Sequence, residues 1–244
     1  MDEDINDAME VFHSVRDHDY NELRNDIAGL RARVQAMNAA IEELSELENE
    51  IQGEGWAWIP EGDEEHSKRE DLLIDILRVV DDGYLSSAWA LRETLKSLKI
   101  DHASESGKAD SLHEKYEDES RAVMGLRIYS HHGNSLPIRI INDTTGNETG
   151  GGAEVRQKIG VRVDDVWEKK GGEYHTSPDN HYGHLDTDFI HLPTFLARHF
   201  EKADGLVDEF TEVVLQENSD MVQDYQSIQA KLGSLLDSGA HNRY

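Results

Sequence analysis

The chain has 244 residues, of which 37% are hydrophobic, and a formal net charge of −27. No apolar run approaches the roughly 18 residues that span a bilayer, which argues against a membrane-spanning protein. A protein that coats nucleic acid nonspecifically needs a basic surface, so the strong negative charge argues against that class as well. The absence of cysteine excludes disulfides, thiolate metal sites and cysteine nucleophiles. The segment Met1-Asp-Glu-Asp lacks the basic and apolar regions of a signal peptide, so we expect a cytoplasmic protein without a membrane partner.

Acidic residues are distributed along the whole chain, and only 10 of the 24 basic residues are lysine. This composition is typical of proteins from salt-loving microbes, and we expect a halophilic archaeal source. At molar salt the Debye length is about 3 Å, so repulsion between carboxylates is screened. Because the apolar residues are strongly periodic, we expect a folded chain rather than a disordered one.

The first part of the chain predicts two helices. A short one covers Ile5 to Val15, and Asp19, followed three residues later by Glu22, is a capping signal for the second. Apolar residues over 19–52 then alternate steps of four and three, which is a heptad pattern. They are Leu23, Ile27, Leu30, Val34, Met37, Ile41, Leu44, Leu47 or Glu48, and Ile51. This pattern fits either one long helix of an antiparallel bundle or an intermolecular coiled coil.

Two further helices are predicted in the middle of the chain. One runs from Ser67 to Ile100, and the other runs from Ser111 to Ser130. The polar stretch from Asp101 to Asp110 reads as the loop between them. The pair Gly133-Asn134 is expected to end the second of these helices.

Strand character appears after residue 135. The segment Leu136–Ile141 is rich in β-branched residues, and Val155–Trp167 contains the alternating residues Ile159, Val161 and Val163. Together they predict a β-hairpin over 136–170. The basic residues of its second strand share one face because all are even-numbered: Arg156, Lys158 and Arg162.

The last two predicted helices cover Leu192–Leu215 and Ser219–Leu236, after a polar loop over 171–187. The elements together predict a mainly α-helical protein. We expect a single helical domain over 1–244, built as a long antiparallel helical bundle with an inserted β-hairpin.

The segment from Arg121 to Ile138 carries the strongest chemical signal. If it is helical, Arg127 and His131 lie four residues apart on one face, and His132 follows directly. A guanidinium can brace a phosphate with a forked pair of hydrogen bonds, and an imidazole can move the proton of a ribose 2′-hydroxyl near neutral pH. This chemistry requires no metal and no cofactor, and we predict none. Alternatively, Arg127 and His132 cap the negative end of the helix dipole.

The string Gly-Leu-Arg127-Ile-Tyr-Ser-His131-His132, followed by Leu136-Pro-Ile, resembles the HEPN superfamily, whose helical domains occur in prokaryotic toxins, abortive-infection systems and ribonucleases. The superfamily motif is an arginine, four to six residues, and a histidine near the end of a helix. The resemblance covers about residues 120 to 138. It implies that Arg127 and His132 form the active pair, with His131 as a helper.

The resemblance also implies a biological role. Two protomers would bring their motifs together in a homodimer and cleave RNA without metal, as a toxin or defence protein with a cognate antitoxin or partner protein. Active members usually have a polar residue after the arginine, whereas this chain has Ile128. The alternative is therefore a non-enzymatic helical interaction or assembly protein with an inactive motif, in which the segment from Leu23 to Ile51 mediates assembly.

A second cluster of polar residues lies between 175 and 191. Its members are His175, His181, His184 and His191, with Asp179, Asp186 and Asp188. Imidazoles and carboxylates can bind zinc or manganese, but these spacings match no compact metal motif. We interpret the cluster as a solvated loop, with a metal site as the alternative.

Overall fold

The computed structural model describes residues 2–53, 63–131, 135–145, 154–168 and 188–241. The helices are α1 (Asp2–Arg16), α2 (Tyr20–Gly53), α3 (Asp63–Arg78), α4 (Ser86–His102), α5 (Gly107–Glu119), α6 (Arg121–His131), α7 (Val163–Glu168), α8 (Leu192–Glu217) and α9 (Ser219–His241). A π-helical segment, Val79–Leu85, joins α3 to α4. The strands are β1 (Arg139–Thr145), β2 (Glu154–Arg162) and β3 (Phe189–His191). The predicted mainly α-helical fold with an inserted β-hairpin is confirmed.

The chain forms two compact units, each assembled from separate segments. One unit comprises residues 1–31, 94–113 and 207–244, and the other comprises residues 32–93 and 114–206. In the first unit α1 packs against α9. The second unit contains the π segment, α6 and the sheet, and therefore all of the described motif. The prediction of a single domain over 1–244 stays a prediction.

Helix α2 is the long helix that the heptad pattern predicts. It begins directly after Asp19 and ends at Gly53, and the N–H of Tyr20 donates to Nδ1 of His18 at 3.0 Å. Six residues of the apolar stripe are buried: Leu23, Leu30, Val34, Met37, Leu44 and Ile51. Because the chain itself covers these side chains, the pattern belongs to an intramolecular bundle. The alternative of an intermolecular coiled coil along this stripe is not supported.

The helix predicted over 67–100 is interrupted by the π segment. The N–H of Ser86 donates to the carbonyl oxygen of Asp81, five residues earlier, which is the hydrogen bond of a π-helix. The wider turn places Tyr84 and Leu85 in the core, where both are fully buried.

Two predicted boundaries differ from the structure around α5. The loop expected over Asp101–Asp110 is shorter, because α4 continues to His102 and α5 begins at Gly107. Ser106 starts α5, since its carbonyl oxygen accepts the N–H of Asp110 at 3.1 Å. The helix expected over Ser111–Ser130 is divided at Ser120 into α5 and α6.

The predicted hairpin is present, and it is part of a three-stranded antiparallel sheet in the order β1-β2-β3. In the register, Ile140 lies opposite Ile159, and Val161 lies opposite Ile190. Strand β3 was not predicted, because three residues are too few for a periodic pattern. The strand assignment for 163–167 was wrong: these residues begin α7, whose first turn contains Asp164, a residue type that suits a helix N-terminus better than a strand.

Side chains of α2 complete the edge of β2. Glu48 Oε1 accepts the N–H of Ile159 at 3.0 Å, while the amide of Gln52 exchanges hydrogen bonds with the backbone of Gln157. Glu48 and Gln52 are four residues apart and therefore lie on one face of α2. They provide the hydrogen-bond partners that a neighbouring strand would otherwise supply, and so attach the hairpin to the bundle.

Gly160 is required for the pairing of β2 with β3. A Cβ atom at this position would lie 2.3 Å from the carbonyl oxygen of Ile190 and 2.3 Å from the ring of Phe189.

We expect Gly160→Ala to lower the free energy of unfolding by about 2 kcal/mol, because backbone and ring must move apart. Gly205→Ala in α8 is the control: apart from the neighbouring backbone of its own helix, no atom lies within 4 Å of the added Cβ, and better helix propensity should stabilise the protein by about 1 kcal/mol. Urea unfolding of both variants measures this, and equal stabilities would contradict the close approach of β3.

Candidate functional site

Helix α6 presents the predicted motif at its C-terminal end. Its buried residues are Ala122, Val123, Met124, Gly125 and Leu126, which together surround the helix, and Tyr129. This burial leaves Arg127, Ile128 and Ser130 partly exposed and His131 exposed. The segment is helical as expected, so Arg127 and His131 are one turn apart. His132 and Gly133-Asn134 lie outside the described residues, and the roles predicted for Arg127, His131 and His132 stay predictions.

The Arg127 guanidinium contacts a carboxylate from another element. Its Nη1 donates to Oδ1 of Asp81 at 3.2 Å and approaches the Ser130 hydroxyl at 3.5 Å. The side chain of Arg127 is 22% exposed and that of Asp81 is 31% exposed. Within the described part of the chain, the hydrogen bonds of Arg127 all use Nη1. These hydrogen bonds join α6 to the π segment, and the alternative in which Arg127 caps its own helix stays a prediction.

The π segment determines where Asp81 lies. Its backbone carbonyl accepts both the N–H of Ser86 and, at 2.9 Å, the Ser86 hydroxyl. The Ser130 hydroxyl lies 2.6 Å from Oδ1 of Asp81, a short distance typical of a hydroxyl that donates to a charged carboxylate. Sequence reasoning missed Asp81. No sequence signal pointed to it, because Val80 and Tyr84 keep the four-residue apolar spacing of an ordinary α-helix and the π turn leaves no trace in the pattern.

A series of buried hydrogen bonds holds the N-terminal end of α6. The hydroxyl of Ser120, directly before α6, lies 2.8 Å from Nε2 of His199. Nδ1 of His199 lies 2.7 Å from the Tyr84 hydroxyl, which donates to the carbonyl oxygen of Leu196 at 2.8 Å. With the imidazole proton on Nδ1, every one of these groups has a partner, because Ser120 donates to Nε2 and Nδ1 donates to Tyr84.

Burial determines the protonation states of these hydrogen-bonded side chains. Desolvation lowers the pKa of His199 to about 4, and it raises the pKa of Tyr84 well above its usual range. His199 is therefore a neutral imidazole and Tyr84 a neutral phenol near pH 7. Ser120 is fully buried, so this arrangement resembles a serine–histidine pair in geometry but is closed to substrate. It positions α6 instead.

Part of the predicted histidine cluster can be placed. His175, His181 and His184, together with Asp179 and Asp186, lie outside the described residues. Nε2 of His191 lies 2.8 Å from Oε1 of Glu48, and its Nδ1 lies 2.8 Å from the Thr194 hydroxyl. His191 thus uses both ring nitrogens within the fold. In the ranges that the structure describes, no three histidine or acidic side chains form a group that could hold a metal ion.

The basic residues of β2 lie as their alternation predicts. Arg156 and Arg162 are exposed and Lys158 is partly exposed, whereas Ile159 and Val161 are fully buried. This strand therefore has an apolar face toward the core and a basic face toward the surface, a local exception in a chain with a net charge of −27.

Comparisons with protein-family models, with curated proteins and with solved structures found no match for this chain. None of the helices that the structure describes is both long and apolar enough to cross a membrane. The resemblance to the HEPN superfamily therefore depends on the residues of the motif itself.

Proposed function

We propose that this chain is a HEPN-like, RNA-directed protein that cleaves RNA without a metal, as a homodimer of the toxin or defence type. The observation that carries the proposal is the anchoring of Arg127 through one nitrogen, Nη1, at the end of α6. The edge formed by Nε and Nη2 can then accept a phosphate with a forked pair of hydrogen bonds. His131 ends the same helix and His132 follows it, which brings imidazoles to the same region of the chain.

The reaction is a transesterification. His132 removes the proton of the ribose 2′-hydroxyl, and the 2′-oxygen attacks the adjacent phosphorus while Arg127 stabilises the negative charge on the phosphate oxygens. The bond from phosphorus to the 5′-oxygen breaks, and that oxygen receives a proton from a second imidazole, either His131 or a histidine of the other protomer. The products are a 2′,3′-cyclic phosphate and a 5′-hydroxyl. Each protomer of the homodimer contributes one motif.

One observation favours the non-enzymatic alternative. Asp81 already forms an ion pair with Arg127, and the hydrophobic Ile128 follows where active HEPN proteins usually have a polar residue. In that case the Arg127–Asp81 pair attaches α6 to the π segment, and the chain acts through binding a partner protein. The assembly surface then lies outside the buried stripe of α2.

The test is cleavage of a mixed RNA pool in potassium chloride of about 2 M, where charge repulsion is screened, with EDTA present. We expect the wild type to produce ends with 2′,3′-cyclic phosphate, His132→Ala to lose this activity, and the exposed-surface control His13→Ala to retain it. Circular dichroism shows whether each variant is folded. Equal cleavage by His132→Ala would contradict the assigned site, and the absence of cleavage by the wild type would favour the binding protein.

The homodimer has its own test. Sedimentation equilibrium in the same buffer is expected to give twice the mass of the chain. A monomer at every concentration would contradict a composite site made from two motifs.

A further inference from the structure

The π segment contacts α6 at both ends. Tyr84 reaches Ser120, at the start of α6, through His199, whereas Asp81 reaches Arg127 and Ser130 in the last turn. Tyr84 and Asp81 are three residues apart. One short element therefore determines both the position of the motif helix and the orientation of its arginine.

We infer that Asp81 is a positioning residue that holds the Arg127 guanidinium through Nη1, so that the Nε and Nη2 edge is presented to an RNA phosphate. This inference rests on the proposed function. Asp81 itself does not touch substrate in this scheme, because a carboxylate repels a phosphate. It acts only through Arg127 and the Ser130 hydroxyl.

Several features hold Asp81 in place. Its backbone carbonyl accepts two hydrogen bonds from Ser86, and its Oδ1 lies 2.6 Å from the Ser130 hydroxyl. The Ser130 hydroxyl is also 3.0 Å from the carbonyl oxygen of Arg127. A long arginine side chain has many rotamers, and an anchored carboxylate reduces that freedom before the substrate binds.

The energetics point to positioning rather than to stability. Both partners of the Arg127–Asp81 pair keep part of their exposure, and such pairs contribute only about 1 kcal/mol or less to folding. Misplacement of a catalytic group by about 1 Å, in contrast, can reduce a rate a hundredfold. Loss of Asp81 should therefore affect turnover much more than it affects folding.

The experiment compares Asp81→Asn with the wild type in the full-length chain. Asparagine keeps the shape and can still accept a hydrogen bond from Ser130, but it removes the charge that holds Arg127. We expect kcat for RNA cleavage to fall about tenfold to a hundredfold and KM to stay within about twofold. Glu43→Gln is the matched control, since Glu43 accepts from Arg78 at 3.1 Å between two helices of the same unit. The control should leave both constants unchanged.

A second readout does not depend on activity. In ¹⁵N spectra of the arginine side chains, slow rotation at the pinned guanidinium should resolve the Nη signals of Arg127 in the wild type, and Asp81→Asn should average them. Unchanged kcat in Asp81→Asn, or unchanged Arg127 signals, would overturn the inference. If the wild type cleaves no RNA but the Arg127 signals respond as expected, the nuclease proposal fails while the restraint of Arg127 by Asp81 stands.

Discussion

Dialysis from molar potassium chloride into dilute buffer is expected to unfold this protein. The chain has 51 acidic and 24 basic residues, so the carboxylates exceed the basic groups by 27 however they are paired. The Debye length grows from about 3 Å at 1 M salt to about 30 Å at 0.01 M, which exposes these carboxylates to one another. Self-repulsion of this size destabilises the compact state.

Several cations of the described residues form partly exposed ion pairs, and these pairs do little to offset the repulsion. Arg92 is shared between Glu93 and Glu117, and Arg78 is shared between Asp75 and Glu43. Such partly exposed pairs contribute only about 1 kcal/mol or less each. Far-ultraviolet circular dichroism along a salt series measures the transition. Sodium and potassium chloride should protect equally if screening is the cause, and a fully folded chain in salt-free buffer would contradict the predicted halophilic origin.

Acidification is expected to destabilise the protein through His199. Its pKa in the folded chain is about 4, below the ordinary value of 6.5, because burial disfavours the charged imidazole. The stabilising contribution is complete above about pH 6.5 and is lost as the pH falls toward 4, since the unfolded chain takes up the proton first. The pKa difference corresponds to about 3 kcal/mol, a large part of the 5–15 kcal/mol typical of a domain.

Protonation of carboxylates also changes the stability in this pH range, because it reduces the repulsion between them. The contribution of His199 is therefore measured as a difference between the wild type and a variant. In molar potassium chloride, the free energy of unfolding of the wild type and of His199→Gln is measured with urea at several pH values. Glutamine offers an amide to Ser120 but does not titrate, so the difference between the two proteins should shrink by about 3 kcal/mol between pH 6.5 and 4. His13→Gln, on the exposed surface, should show no such change. A pH-independent difference for His199→Gln would contradict the buried neutral imidazole.

Local periodicity was sufficient to predict the long helices. The alternating steps over α2 and the apolar positions of α8 report burial on one face, and this property is encoded within a few turns. Helix α2 begins directly after Asp19, and α8 begins at Leu192, as predicted. The hairpin was predictable for the same reason, because β-branched residues and the alternation of Ile159 with Val161 describe a half-buried strand.

Short elements and irregular turns were less predictable. Strand β3 has three residues and forms because Ile190 pairs with Val161. The sequence of so short a segment contains no pattern that predicts a strand. The division at Ser120 of the helix predicted over 111–130 accompanies a hydrogen bond to His199, which is 79 residues away. Such contacts depend on which elements become neighbours in the folded chain.

The candidate site shows the same division between sequence and structure. The sequence by itself determined the helical face shared by Arg127 and His131, the acidic surface and the absence of thiol chemistry, because these follow from residue types and short spacings. Only the tertiary structure decided that Asp81 holds Arg127, 46 residues away, and that Tyr84 reaches His199, 115 residues away. Both contacts depend on one additional residue in a helical turn at 79–85, whose register is stabilised by packing and hydrogen bonds rather than by local propensity.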